Sequence, residues 1–275
     1  MSTAKKKGNK SLHCLMTKKE NDRCPYCLCT KLRPKGWNSK RTKKRLKCDG
    51  CKKHLVRGGK NWFVSDSQIE LVDALLLERL SLWGICRVVK ISLSWLMKYM
   101  VRLYDRQPEN LNYRIPTNPQ INLQLIDCEL DEMWSFVHKK KNKKWIWIAQ
   151  CRKTRQIIAF HVGDRSRDSA KELWKKIPSK LRKRGYFYSD DWDAYKGVFP
   201  KKRHKYSKIK KDTNHLERLN NTIRQRVSRL VRKTLSFSKK LENHIGAIKY
   251  FFCNYNLEQQ NKWDKYEFKK KSAHL

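Results

Sequence analysis

Two Cys-x-x-Cys pairs near the start of the chain constrain the fold of that region more than any other feature. The pairs are Cys24/Cys27 and Cys48/Cys51, and twenty residues separate them. A two-residue gap lets two thiolates on one tight turn reach the same ion. Two such turns complete the closed tetrahedral site that structural zinc prefers. The spacing therefore predicts that residues 21–63 form a zinc ribbon in which these four cysteines hold Zn²⁺.

Two further cysteines leave alternatives open in this region. Cys29 lies just beyond the first pair and can compete with it as a ligand, whereas Cys14 precedes the ribbon. The alternative to a metal site is a set of unrelated reduced thiols. Disulfides are not expected, because the chain lacks a secretory leader and thiols stay reduced inside cells.

The charge of the chain indicates its partner. Lys and Arg number 66 against 25 Asp and Glu, a formal net charge of +41. The positive electrostatic field of such a chain favours a polyanionic partner, most often nucleic acid. The alternative explanation of the charge is drift in composition. An anionic membrane is the rival partner, but no apolar run reaches the ~20 residues needed to span a bilayer. We expect a cytoplasmic protein that binds nucleic acid and uses no membrane.

Residues 64–105 show the apolar spacing of helices and predict a helix-turn-helix DNA-binding domain. Ser65 offers an N-cap to the first helix, and the second begins near Ser81. In a third helix, at about 93–104, three residues would face the DNA groove near the N-terminal end: Ser94, Trp95 and Lys98. The alternative is an ordinary three-helix bundle or a dimerisation element.

The remaining segments differ in composition. Pro108, Pro116 and Pro119 oppose helix formation in a polar stretch that reads as a linker. The segments that we predict around the two N-terminal modules are a basic disordered arm at 1–20, the linker at 106–120, a catalytic domain at 121–256 and a basic tail at 257–275.

The region at 121–256 alternates strands with helices. Apolar residues alternate with acids at 126–131, and two more strands follow at 145–149 and 157–162. A helix, a short fourth strand that ends in acid and a long amphipathic helix at about 214–232 complete the series. Three antiparallel strands followed by this order predict an α/β ribonuclease-H-like domain with a mixed sheet.

Three acids stand at the places where that fold brings carboxylates together: Asp131 on the first strand, Asp190 at the end of the fourth and Glu217 on the late helix. Acids are scarce in this chain, and a carboxylate cluster costs repulsion unless cations neutralise it. Oxygen ligands and a phosphate substrate favour Mg²⁺, with Mn²⁺ a usual substitute. We expect a catalytic metal site here.

Longer motifs around these acids resemble the DDE transposases of the insertion-sequence-one family. The three acidic blocks are residues 131–137, 188–195 and 214–221, and the basic segment at 229–239 resembles that family too. The order of zinc ribbon, helix-turn-helix and catalytic domain is also similar. The resemblance covers about residues 21–256.

The resemblance implies a DNA transposase that binds terminal inverted repeats, cleaves the element ends and joins the 3′-hydroxyl ends to target DNA by two-metal phosphoryl transfer. Asp131, Asp190 and Glu217 would be the catalytic metal ligands. Arg218, Asn221 and Arg224 would contact DNA on the late helix, where simple solvation is the alternative. Joining two ends requires a homo-oligomer of at least two protomers on double-stranded DNA.

Neighbouring acids and two other functions compete with this reading. Glu132 would point to the opposite strand face, Asp191 and Asp193 compete with Asp190, and Asp127 and Glu129 read as flanking polar residues. The alternative functions are a DNA-binding transcriptional repressor with an inactive catalytic domain, and a metal-dependent nuclease of the same fold.

Overall fold

The computed structural model describes residues 24, 26–27, 29–56, 64–114, 126–206, 214–231 and 236–272. The chain divides into two compact units. The first takes the described residues up to Ala74 together with Val89–Ile91, and the second takes Leu75–Val88 and the residues from Ser92 onward. None of the helices in these ranges combines the length and the apolar character needed to cross a membrane.

The first unit contains a small antiparallel sheet in the order β1-β2-β3. Its strands are β1 (Leu32–Trp37), β2 (Lys44–Cys48) and β3 (His54–Val56). Among the described residues, the buried core of this sheet consists of Cys24, Leu46, Cys48 and Leu55. An apolar core this small cannot offset the entropy of ordering the surrounding chain, so the sheet needs another source of stability.

Helix α1 (Asp66–Leu75) begins with the N-cap that the sequence predicts. Ser65 Oγ accepts a hydrogen bond from the backbone N–H of Gln68 at 3.2 Å, and Gln68 Oε1 accepts one from the backbone N–H of Ser65 at 3.0 Å. This reciprocal pair is a capping box, which satisfies two backbone donors that a helix start leaves without partners.

Two more helices follow at the expected positions, α2 (Leu82–Val89) and α3 (Leu93–Asp105). Ser81 Oγ accepts from the backbone N–H of Gly84, and Ser92 Oγ accepts from that of Trp95, so each helix starts at a serine. Lys90, between them, has a φ of 59°. That left-handed conformation usually takes glycine, so the lysine accepts backbone strain at this turn.

The second unit is built on a five-stranded sheet in the order β6-β5-β4-β7-β8. Strands β4, β5 and β6 pair antiparallel, whereas β7 pairs parallel with β4, and β8 pairs parallel with β7. The sheet is therefore mixed, as the alternating pattern predicts. The strands are β4 (Asp127–Phe136), β5 (Lys143–Cys151), β6 (Ile157–Gly163), β7 (Tyr186–Ser189) and β8 (His204–Tyr206).

Helices pack on both faces of this sheet, and two separate apolar cores result. One core joins Leu130 of β4 to α4 (Arg167–Lys176) and α5 (Ser179–Arg184) through Leu173 and Leu181. The other joins Met133 of β4 to α6 (Asn214–Arg226) and α7 (Leu241–Ser272), which contribute the side chains Leu216, Leu219, Ile223, Ile248, Phe251 and Phe252. Because strand residues alternate between faces, neighbouring β4 side chains enter different cores.

Helix α7 differs from the sequence-based expectation. It extends through Ser272 and so crosses the predicted boundary between the catalytic domain and a basic tail. Asn256, which is fully buried, holds it in place: its Oδ1 accepts from the backbone N–H of Ile157, and its Nδ2 donates to the carbonyls of Ile157 and Leu111. This buried amide satisfies backbone groups that the sheet edge would otherwise leave without partners.

Other predicted segments end at different places or lie outside the description. The predicted late helix ends at Arg226 and is followed by a short 3₁₀ turn at Ser228–Leu230. Leu111 and Tyr113, within the predicted linker, are buried in the second unit. The predicted arm at 1–20, the ribbon residues 57–63 and the linker residues 115–120 lie outside the described residues.

Candidate functional site

The four predicted zinc ligands come together in the first unit. The sulfur atoms of Cys24, Cys27, Cys48 and Cys51 all lie within 4.8 Å of one another. Cys24 and Cys51 are 3.6 Å apart, and Cys27 and Cys48 are 3.4 Å apart. A tetrahedral site with Zn–S bonds of about 2.3 Å has S···S edges of about 3.8 Å, so this donor set fits Zn²⁺.

Local geometry separates Cys29 from this set. Its carbonyl oxygen accepts the backbone N–H of Cys24 at 2.8 Å, and its sulfur accepts the backbone N–H of Lys31. At Cys48, the backbone N–H of Cys51 lowers the pKa of the thiol to about 6 against the effect of burial, whereas burial raises the pKa of Cys24 to about 12 and also raises that of Cys27. A lowered pKa favours the thiolate that a metal ion binds.

Asp131 lies on β4, and Asp190 directly follows β7, the parallel strand beside it. Glu129 of β4 pairs with Tyr188 of β7. Two residues further along each chain segment, Asp131 therefore stands beside Asp190. Burial, the charge of Glu132 and the charge of Asp190 raise the pKa of Asp131 from 3.8 to about 7. A carboxyl group that is repelled by its neighbours in this way is a natural place for a cation.

Helix α6 places the third predicted acid on the same face of β4. Asn220 Nδ2 donates to Asp131 Oδ2 at 2.7 Å, and Glu217 stands one turn earlier on the helix, exposed to solvent. Among the described residues, only the four cysteines form a group of three or more ligands within 4.8 Å. The three acids therefore do not form a group as tight as that of the cysteines.

Glu132 faces the other core, as strand alternation predicts. Arg165 donates to Glu132 Oε1 from Nε at 2.9 Å and from Nη2 at 2.7 Å, and the Tyr195 hydroxyl donates to Oε2 at 2.8 Å. The guanidinium of Arg165 also lies over the rings of Trp145 and Trp192. Glu132 is thus fully engaged in a buried network, which leaves Asp131 as the acid on the α6 side.

The acids that follow Asp190 form surface ion pairs. Lys196 Nζ lies 3.1 Å from Asp191 Oδ1 and 2.7 Å from Asp193 Oδ1. The lysine therefore balances both acids, and Asp190 remains the one beside Asp131.

Glu129 corrects a sequence-based interpretation. The sequence suggested a flanking polar residue, but the Glu129 side chain is fully buried. Its Oε1 accepts from Arg152 Nε at 2.9 Å, and its Oε2 accepts from the backbone N–H of Leu216 at 3.1 Å. Burial raises the pKa of this carboxyl despite the contact with Arg152. Glu129 thereby fixes the first turn of α6, the helix that carries Glu217 and Asn220.

Glu129→Gln is expected to lower the free energy of unfolding by about 1–3 kcal/mol, because an amide nitrogen would face either Arg152 or the N–H of Leu216. Glu217→Gln is the matched control. Glu217 is exposed, so its stability should change by less than about 0.5 kcal/mol. Urea unfolding followed by tryptophan fluorescence measures both. Equal stabilities of the two variants would contradict the buried role of Glu129.

The predicted DNA contacts lie on two helices. On α3, Ser94 and Lys98 are exposed, and Trp95 stacks on Tyr99 with 4.9 Å between ring centroids. On α6, Arg218 and Asn221 are exposed and Arg224 is half-buried. These positions are accessible to a large ligand, although DNA contact itself stays a prediction.

The sequence indicates only that Asn220, on the same helix, could support the carboxylate of Glu217. The structure pairs it with Asp131 of β4, 89 residues away. The available signal was its position three residues after Glu217, which places both on one face of a helix. That spacing could not identify the distant strand.

Comparison with known proteins adds an independent line of evidence. Residues 124–258 match the family model described as IS1 transposase. The InsB protein of insertion element iso-IS1n from Shigella dysenteriae is 40% identical over 122 residues, which cover 44% of this chain and 89% of that protein. An InsB protein of insertion element IS1 from Shigella flexneri is 31% identical over 127 residues, 46% of this chain and 94% of that protein.

The InsB protein of insertion element IS1 2 from Escherichia coli (strain K12) is 29% identical over 146 residues, which cover 53% of this chain and 83% of that protein. The matched region contains the mixed sheet with Asp131 and Asp190, helix α6 with Glu217, and the first half of α7. The first of these relatives is 40% identical, and the chain covers 89% of its length, so the chain belongs to the IS1 transposase family.

Proposed function

We propose that this protein is a DDE-type DNA transposase that cleaves DNA at the ends of its element and joins the released 3′-hydroxyl ends to target DNA. One observation carries the proposal. Asp131 of β4 lies beside Asp190, which directly follows the adjacent strand β7, and it accepts a hydrogen bond from Asn220, one turn along α6 from Glu217. The family supports phosphoryl transfer on DNA, and the acids supply the chemistry for it.

The proposed fold of this region is ribonuclease-H-like. Three antiparallel strands, a further strand pairing parallel with the first of them and helices on both faces support it. In this arrangement the active site lies at β4 and the end of β7, under α6. We place the catalytic domain at residues 121–256, and its last helix, α7, continues through Ser272 into the basic segment at 257–275.

Asp131, Asp190 and Glu217 would hold Mg²⁺ or Mn²⁺. Such ions, when bound, neutralise the carboxylates and activate the attacking oxygen. Asn220 orients Asp131 by donating to one of its oxygens, while Glu132 N–H donates to the other at 2.9 Å. These two bonds leave the carboxylate little freedom to rotate, so its remaining lone pairs keep a fixed direction.

The proposed chemistry needs no covalent protein intermediate. In the first step, a water oxygen attacks a phosphodiester at the element end, and the bond to the 3′ oxygen breaks. That 3′-hydroxyl then attacks a target phosphodiester, a new P–O bond forms, and the target 3′ oxygen leaves. Arg218, Asn221 and Arg224 on α6 would position the phosphates during both steps.

The N-terminal modules would recognise the terminal inverted repeats. The proposed zinc ribbon at 21–63 would contact phosphates, and the proposed helix-turn-helix at 64–105 would place Ser94, Trp95 and Lys98 of α3 in the major groove. Synapsis of two element ends requires at least a dimer on DNA. The basic arm at 1–20 would add nonspecific affinity.

A strand-transfer assay tests the proposal. Purified protein is mixed with DNA carrying the flanks of its own gene, a target plasmid and Mg²⁺ or Mn²⁺. Joined products that require all three acids, as judged with Asp131→Asn, Asp190→Asn and Glu217→Gln, are the expected result. Cleavage without joining would replace this proposal with a nuclease. Sequence-specific binding without any chemistry would replace it with a repressor.

A further inference from the structure

A basic pocket lies beside the proposed catalytic helix. It has a volume of about 460 Å³ and opens between one face of α6, the second half of α7 and the turn that joins β5 to β6. The cationic residues that line it are Arg155, Arg218, Arg226 and Lys262, and His215 and Thr222 are also part of its wall. A pocket of this kind attracts an anion.

Ion pairing neutralises only part of this charge. Arg226 Nη1 lies 3.1 Å from Glu258 Oε1, and its Nη2 lies 3.4 Å from Glu78 Oε1. Glu258 is the acid in the pocket wall. Within the part of the chain that the structure describes, Arg155, Arg218 and Lys262 form no salt bridge. The pocket therefore retains a net positive charge, although the charge of Glu129, outside the pocket wall, stabilises the guanidinium of Arg155.

Arg155 supplies the second observation. Its Nη1 is buried and has no hydrogen-bond partner among the described residues. A buried guanidinium donor without an acceptor is costly, so its presence indicates an acceptor that these residues do not supply.

Two hydrogen bonds hold the backbone of Arg155 in a left-handed conformation. Its φ is 62°, a left-handed conformation that non-glycine residues seldom adopt. Its carbonyl oxygen accepts Gln150 Nε2 at 2.7 Å, and its N–H donates to the Cys151 carbonyl at 2.9 Å. Strain that the surrounding bonds sustain in this way is typical of positions that present a side chain to a ligand.

The pocket adjoins the proposed reaction centre. His215 in its wall lies 3.8 Å from Glu129 Oε1, and Glu129 stands two residues before Asp131 on the same face of β4. We propose that this pocket binds one backbone phosphate of the DNA strand that lies across the acids, an inference that rests on the proposed function. Arg155 and Arg218 supply the planar guanidinium donors that suit phosphate oxygens, and Lys262 adds a point charge.

A phosphate scan of the DNA tests this site. A duplex carrying one flank of the protein's own gene is made with a single neutral methylphosphonate, moved one position at a time along each strand. Affinity is measured without added Mg²⁺, so that binding is read independently of chemistry. Wild type should lose about tenfold in affinity when the phosphate that occupies the pocket is neutral.

Arg218→Gln is the main variant, because Arg218 is exposed and its loss should not disturb folding. With intact DNA it should bind about tenfold more weakly. When the neutral methylphosphonate stands at the position where wild type loses about tenfold in affinity, this variant should lose less than about twofold in affinity. Arg155→Gln should behave in the same way, with circular dichroism reporting its fold. Arg184→Gln, an exposed arginine on α5 outside the pocket, is the matched control and should keep the wild-type scan.

If the affinity lost through the substitution and the affinity lost through the neutral phosphate simply add at every position, in both pocket variants, the proposal is wrong. A test with inorganic phosphate distinguishes a DNA phosphate from a free phosphate ion as the ligand. If phosphate raises the melting temperature of wild type but not of Arg155→Gln while the DNA scan stays additive, the pocket takes the free ion and the proposal is wrong. Strand transfer is measured separately. If DNA ends are joined but the variant and the neutral phosphate act independently, the proposed function stands and the phosphate site is wrong. If the two act on each other but no DNA is joined, the phosphate site stands and the proposed function is wrong.

Discussion

Asp131→Asn is expected to lower the rate of strand transfer by on the order of 10³-fold or more, because a metal ligand contributes several kcal/mol to the transition state and about 4 kcal/mol corresponds to about 10³-fold. DNA binding should persist, since the substitution leaves the basic surfaces unchanged. Gel-based quantification of joined products measures the rate, and a mobility-shift assay measures the binding.

The stability of this variant should not fall. Asparagine removes a charge that Glu132 and Asp190 repel, and repulsion together with burial is what raises the pKa of Asp131 to about 7. Asp127→Asn is the matched control. It changes the same kind of side chain on the same face of β4, four residues earlier, and joining should stay within about twofold of wild type. Equal losses in both variants would argue against a specific role for Asp131.

The second large effect concerns the cysteines. Cys48→Ser is expected to lose the bound zinc and to unfold the sheet formed by β1, β2 and β3. The apolar core of that sheet is very small, whereas a structural zinc site contributes about 10–16 kcal/mol of apparent binding free energy to folding. Wild type should contain about one zinc per chain by elemental analysis, and the variant should be cleaved rapidly by protease within residues 29–56.

Cys29→Ser is the control for that result. Cys29 lies in the same small domain, but its sulfur is not one of the four that converge. This variant should therefore retain zinc and protease resistance. A Cys48→Ser protein that keeps its zinc, or a Cys29→Ser protein that loses it, would show that the assignment of the four ligands is wrong.

Local rules predicted a large part of this structure. The serine caps of α1, α2 and α3 can be found in sequence because each depends on a few neighbouring residues. The strands of the meander follow from alternation of apolar and polar residues. The four cysteines follow from spacing alone. In each case the interacting groups are either close in sequence or repeat with the period of the element.

Distant pairings were beyond the reach of such rules. Glu129 is buried because Arg152 and the start of α6 surround it, and these partners lie 23 and 87 residues away. A carboxylate with no local partner looks like a solvated one in sequence. Asn220 and Asp131 present the same difficulty. Pairings of this kind depend on tertiary structure, which no window of the sequence contains.

Helix α7 was missed for a different reason. Its first half carries apolar residues that are buried, among them Ile248, Phe251 and Phe252, whereas its second half is rich in lysine and polar residues. The two halves have different environments, so no single periodic stripe runs along the helix. The polar composition of the second half suggested a tail, but composition does not oppose helix formation by residues such as Lys, Glu and Gln.

The pairing of β4 with β5, which is continuous from Cys128 to Phe136, has a consequence for how this enzyme can change over time. Asp131 and Glu132 are adjacent carboxylates whose side chains leave the strand on opposite faces. Asp131 therefore lies beside α6, whereas Glu132 lies in the buried network with Tyr195. A one-residue slip of the strand would exchange the two. The acid that we propose as a metal ligand is thus determined by the alignment of the backbones rather than by the identity of the amino acid. Point substitutions on this sheet are therefore safer than insertions, and length variation should accumulate in the turn at 137–142 instead of within the strands.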